Sequence, residues 1–151
     1  WEMYNEKVPF TVITDNTGGY IMQQRLVDMV IVGADRVAAN GDVANKIGTY
    51  LKALAAFDNK IPFYVALPVS TIDFELKKGD GNITIEKRNA DEIVLIDGVN
   101  NKGEIRKINV IPTNYKTENY AFDVTPNRLI TGLITEKGIV KANTKDISKL
   151  K

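Results

Sequence analysis

The sequence predicts an α/β domain built on a mostly parallel sheet, and three observations carry that expectation. Residues 8–14 (VPFTVIT), 27–34 (VDMVIVGA) and 62–67 (PFYVAL) are short, apolar and rich in β-branched side chains, the pattern of buried strands. Between the second and third runs, Ala44, Ile47, Gly48, Leu51, Leu54 and Ala55 recur at helical spacing within residues 43–57, giving a helix with one packed face. Strand, helix, strand with short connections is a βαβ crossover, which joins parallel strands. Continuous apolar strands also suit a sheet covered by helices better than one that faces water.

Taken in order, the first run ends in a polar, glycine-containing turn at 15–19, and 20–26 reads as a short helix. The second run is closed by Asp35-Arg36 and followed by the polar stretch 38–42 (AANGD). Asp42 is the expected N-cap of the 43–57 helix, and Asn59-Lys60 ends it. After the third run, 70–76 reads as a helical turn, 77–82 as a solvated loop, 91–96 as a strand and 100–107 as a hairpin turning at Gly103. Residues 125–137 read as a helix capped by Thr125, with Pro126 at its first position and Gly138 as its stop. The Lys-rich stretch 139–151 reads as a solvated tail, and Tyr50, Phe57, Phe63 and Tyr64 as packing residues.

At 151 residues and 44% hydrophobic, the chain suffices for one domain with one core. No apolar run approaches the ~20 residues of a membrane-spanning helix. Twenty basic against nineteen acidic residues leave a net charge of +1, so nothing electrostatic points to nucleic acid or an acidic membrane. His and Cys are both absent, which excludes disulfides, thiol catalysis, Ser-His-Asp triads and the usual zinc sites within this chain. Acid–base chemistry falls to Asp, Glu, Lys or Tyr. The chain opens on Trp1 rather than Met, and the expectation is that its N-terminus is trimmed or that it belongs to something larger.

In open parallel sheets ligands bind at the carboxyl ends of strands. Three polar clusters fall there: Asp15-Asn16, Asp35-Arg36 and Ser70-Thr71-Asp73. The loop after Asp35 leads to Asn45 and Lys46 in the first turn of the expected helix, where free N–H groups and a Lys charge suit a phosphate. Two readings stand: a phosphorylated substrate held there with Asp35 aimed at its carbon skeleton, or a surface loop with a capping Asp. The loop lacks the GxxxxGK[ST] spacing of a nucleotide triphosphate site. Asp123 is read either as a structural cap of the last helix or as a residue reaching into the cleft.

Residues 33–50, GADRVAANGDVANKIGTY, resemble the signature of the methylthioribose-1-phosphate isomerase family. Residues 8–22, 61–73, 85–93 and 121–140 agree with it, so the likeness spans nearly the whole chain. The wider superfamily includes ribose-1,5-bisphosphate isomerases and the regulatory subunits of the translation initiation guanine-nucleotide exchange factor, all sharing the NKIGT core at 45–49. The resemblance implies a Rossmann-like, mostly parallel sheet with helices on both faces, forming the C-terminal domain (residues 1–151) of a cytoplasmic, homodimeric aldose–ketose isomerase of methionine salvage. It makes Asp35 the catalytic proton donor or acceptor and Asn45 and Lys46 substrate-binding residues, with no metal, cofactor, nucleic acid or membrane. The family's catalytic Cys and phosphate-holding Arg residues belong to an N-terminal domain that these residues do not include. Tyr120 stands where the family usually has Pro. The alternatives are a non-catalytic, regulatory relative or a ribose-1,5-bisphosphate isomerase; a generic nucleotide binder is disfavoured by the missing GxGxxG.

Overall fold

A computed structural model describes residues 1–112 and 115–151 of the chain. It opens with α1 (Glu2–Asn5) and α2 (Thr17–Gln23), followed by β1 (Val30–Val32), β2 (Arg36–Ala38), β3 (Val43–Lys46), α3 (Thr49–Asp58) and β4 (Phe63–Ala66). A 3-10 turn at Val69–Thr71 leads to β5 (Ile72–Asp73), then β6 (Lys87–Arg88), α4 (Asp91–Val94), β7 (Leu95–Val99) and β8 (Ile105–Asn109). The chain closes with β9 (Asn119–Tyr120), β10 (Phe122–Thr125), β11 (Gly132–Thr135), β12 (Gly138–Val140) and α5 (Thr144–Ile147), with 3-10 turns at Asn127–Leu129 and Ser148–Leu150.

Two four-stranded sheets organise the domain. The first has the order β1-β4-β11-β12, with β4 parallel to both β1 and β11 and β12 antiparallel at the edge. The second has the order β10-β3-β2-β5, and only its β2–β5 pair is parallel. The fold is therefore mixed α/β, and the parallel pairing expected from sequence is limited to the run β1-β4-β11 and the β2–β5 pair. One core joins the sheets: Phe63, Val65 and Leu133 from the first, Val37, Val43 and Ile72 from the second, and Ala53 and Ala56 from α3 are all buried.

The largest departure lies at residues 43–57. Only Thr49–Asp58 is helical; residues 43–46 form β3. Asn40-Gly41 is the reason. Gly41 takes φ +93, the Gly41 N–H reaches the Ala38 carbonyl, and the Ala38 N–H reaches the Asp42 carbonyl, turning the chain into a β2–β3 hairpin. Asp42 therefore sits in the hairpin turn and does not cap a helix. Gly48, at φ +97, separates β3 from α3.

Other expectations are also corrected. Residues 8–14 pair with no strand among the described residues and are exposed throughout; β-branched composition gives strand propensity but not a partner edge. Residues 125–137 are not a helix. Thr125 ends β10, Pro126 is extended, and residues 132–135 join the first sheet, where β4 offers a parallel edge. Residues 91–96 begin as the helical turn α4 before β7 starts. The 100–107 hairpin does turn at Gly103, between β7 and β8. The expected solvated tail carries β12 and α5 and buries Ile147 and Leu150, while Phe57 is 63% exposed rather than packed.

Candidate active site

The β2–β3 hairpin positions the residues singled out from sequence. Its register pairs Arg36 with Ala44 and Val37 with Val43. The Asp35 N–H donates to the Ala44 carbonyl at 2.9 Å, so that Asp35 and Arg36 both lie against Ala44 and the ladder bulges where it ends. On the other side of β3, Asn45 pairs with Asp123 of β10. Directly opposed residues on neighbouring antiparallel strands present their side chains to one face, roughly 4.5–5.5 Å apart at Cβ. The register thus sets Asn45 and Asp123 side by side in one row across β3 and β10, while Asp35 lies beyond the end of β2.

Lys46 is separated from Asn45 by the alternation of the strand. It pairs with Phe122, and its Nζ lies 5.3 Å from the centre of that ring, with the Arg88 guanidinium 6.0 Å away on the same aromatic. Asn45 is set beside Asp123, Lys46 lies on the opposite face, and neither pairs with Asp35 in the sheet register.

The seat expected for a phosphate at a helix start is not formed around Asn45 and Lys46, because they lie on a strand. The true N-terminus of α3 already holds a carboxylate. Asp123 Oδ2 accepts the Gly48 N–H at 2.7 Å and Oδ1 accepts the Tyr50 N–H at 3.1 Å. Burial pushes the Asp123 carboxyl above the ordinary aspartate range, against the opposing pull of these N–H groups and of the Lys52 charge. An anion at that terminus would meet Asp123.

Two open clefts flank the row. One, of 520 Å³, is lined by Asp15, Asn16, Gly48, Tyr50, Lys52 and Asp123, with the Lys52 and Asp15 side chains 3.7 Å apart. The other, of 550 Å³, is lined by Asp35, Arg36, Ser70, Thr71 and Asp73, and here Arg36 donates to the Asp73 carboxylate. Each of the three polar clusters noted in the sequence therefore borders one of these clefts. Asp35 is exposed.

Asp42 has a structural task beside the site. Its carboxylate accepts from Asn40 Nδ2 at 2.8 Å, the Asn127 N–H at 3.0 Å and the Gly79 N–H at 3.1 Å. Burial would raise its carboxyl, but these donors and the Asp80 N–H together hold it below the ordinary aspartate range. The group fastens the hairpin turn to two other loops.

Sequence reasoning left the role of Asp123 open and passed over Thr49. The missed signal was Asn40-Gly41 between β-branched neighbours, which marks a hairpin and moves the helix start to Thr49.

The chain is thus a mixed α/β domain with Asn45 and Asp123 side by side on neighbouring strands and two open clefts at its surface. The chain is a member of the Initiation factor 2 subunit family, whose pattern matches residues 1–142. It is 58% identical over 149 residues to methylthioribose-1-phosphate isomerase of Sulfurimonas denitrificans, covering 99% of this chain and 42% of that protein. The isomerase of Desulfosudis oleivorans is 55% identical over 150 residues, covering 99% and 41%. The chain thus spans about two fifths of the length of these relatives. Among solved structures, 5-methylthioribose 1-phosphate isomerase from Pyrococcus horikoshii superposes with a TM-score of 0.87 at 41% identity, covering 99% of this chain and 39% of that one. The translation initiation factor eIF-2B delta subunit from A. fulgidus gives 0.84 at 38%, covering 99% and 41%.

Proposed function

We propose that this chain is one domain of an enzyme that converts 5-methylthioribose 1-phosphate to 5-methylthioribulose 1-phosphate in methionine salvage. The observation that carries the reading is the 58% identity to an isomerase across 149 residues. The substrate is a ring sugar whose anomeric oxygen bears phosphate. Isomerisation breaks the ring C1–O bond, places a proton on the ring oxygen, moves hydrogen from C2 to C1 and removes the proton of the C2 hydroxyl as C2 becomes the ketone. Asp35 gives or takes a proton in this sequence, a role that matches an accessible carboxylate at the end of a hairpin. Asn45 holds the sugar, and Lys46, on the opposite face of β3 over the Phe122 ring, adds positive charge from outside the Asn45 contact.

The remaining three fifths of the relatives' length supplies the facing wall, including the groups that hold the phosphate. The exposed apolar residues of 8–14, with Val12 83% accessible, are consistent with a further segment packing there. In this reading the first sheet is the Rossmann-like core, with helices on both faces. The enzyme is a cytoplasmic homodimer joined through this domain. The β7–β8 hairpin supports that part: Ile96 and Ile108 form one cross-strand pair and Val99 and Ile105 another, and all four are exposed. A two-stranded ribbon is marginal on its own and gains from a partner surface.

Conversion of 5-methylthioribose 1-phosphate to the ketose by the chain completed to its relatives' length tests the activity. Turnover there, and none in the 151 residues alone, is the expected result. The likeness to the eIF-2B delta subunit favours a second, regulatory reading at 38% identity; absence of turnover in the completed protein would favour it.

A further inference from the structure

The Asn45 side chain has a fixed orientation. Its amide nitrogen donates to Thr49 Oγ1 at 3.0 Å, and Thr49 Oγ1 donates its one proton to the Lys46 carbonyl at 2.7 Å. A threonine hydroxyl has a single O–H, so Oγ1 can only accept from Asn45. The end of the amide that meets Thr49 is therefore the NH2 end, and Oδ1 is turned away. Among the described residues no donor reaches Oδ1. Thr49 is buried, while Asn45 is half-buried at the row. The residue that orients Asn45 is itself pinned on both sides, since the Gly48 and Tyr50 N–H groups are held by Asp123.

We propose that Thr49 is a positioning residue for Asn45, setting its carboxamide so that Oδ1, a hydrogen-bond acceptor, meets a hydroxyl of the substrate. The inference rests on the sugar-phosphate reading above and deepens it. A sugar hydroxyl can donate to Oδ1, whereas a phosphate dianion brings no proton, so Asn45 reads the carbohydrate part. Removing the Thr49 hydroxyl frees the amide to rotate and to present NH2 instead of oxygen.

Thr49→Val keeps the β-branched shape and deletes both hydrogen bonds; Thr49→Ser keeps the hydroxyl. In the completed protein, Thr49→Val is expected to raise KM for 5-methylthioribose 1-phosphate about tenfold, the scale of one lost hydrogen bond, with a smaller change in kcat. Thr49→Ser is expected to restore KM to within a few-fold. Thermal unfolding separates a merely destabilised protein from a misoriented amide, because Ser rescue of KM at equal melting temperature is not a stability effect. A second readout is independent of turnover. The hydrogen-bonded side-chain NH2 proton of Asn45 is expected to exchange slowly with solvent in the wild type, and to move to its free-amide shift and exchange faster in Thr49→Val. Unchanged KM and unchanged Asn45 resonances in Thr49→Val would overturn the positioning role while leaving the isomerase reading intact. Absence of turnover in the wild type would overturn the isomerase reading, and the proposed hydroxyl contact with it.

Discussion

Asp123 and Gly48 lie 75 residues apart and are joined by one short hydrogen bond, 2.7 Å from amide to carboxylate. Through it β10 closes the N-terminus of α3 and braces the turn that follows Asn45. Asp123→Ala leaves the Gly48 and Tyr50 N–H groups without their acceptor. A loss of about 2 kcal/mol in unfolding free energy is expected, measured by urea titration. Asp123→Asn, which keeps one acceptor oxygen, should lose less.

Two carboxylates near the site, the buried Asp42 and the half-buried Asp123, respond to pH in opposite directions. Asp42 is held below its ordinary value, so its contribution to stability is complete above the unfolded aspartate pKa, 3.8, and is lost as pH falls through the folded value. Asp123 is raised, so its contribution is complete below 3.8 and is lost as pH rises through the folded value. Unfolding free energy measured against pH should therefore show a shallower acid limb in Asp42→Asn. In Asp123→Asn, the decline on moving up from acid pH should disappear.

Gly41→Ala tests the hairpin turn. At φ +93 an L side chain is strained, and an added Cβ would lie 2.6 Å from the Ala142 carbonyl carbon and 2.7 Å from its oxygen. The backbone of Ala142 must move to admit it. A destabilisation of at least about 3 kcal/mol is expected, checked by thermal and chemical unfolding.

The βαβ sequence Val30–Val32, Thr49–Asp58, Phe63–Ala66 was legible because short apolar runs and a 3.6-residue period report burial directly. What lies between β1 and α3 was not, because the helical spacing of Ala44, Ile47 and Gly48 coincides with a strand followed by a glycine turn. Only Gly41 and Gly48, both at positive φ, separate the two readings. Residues 125–137 failed for a related reason: Thr125-Pro126 is a good helix start locally, and pairing with β4 overrides it. Asp35 and Asn45 were singled out through family resemblance and strand-end position. That Asn45 lies beside Asp123 follows from register, which composition does not encode.

The β7–β8 ribbon supplies a test of assembly. Ile105 is 77% and Val99 70% exposed on one face of the hairpin. Ile105→Glu should leave secondary structure and melting temperature unchanged and shift the completed protein from dimer to monomer in light scattering. A dimer that persists unaltered would place the interface elsewhere.

The most direct test of the central claim is the turnover of 5-methylthioribose 1-phosphate by Asp35→Asn in the chain completed to its relatives' length. The substitution keeps the shape and the backbone hydrogen bond to Ala44 and removes the proton-carrying group. A fall in kcat of ~10⁴-fold with a folded, substrate-binding protein is the predicted result, the scale on which loss of one cooperating catalytic group is felt. Undiminished turnover by Asp35→Asn would contradict the account.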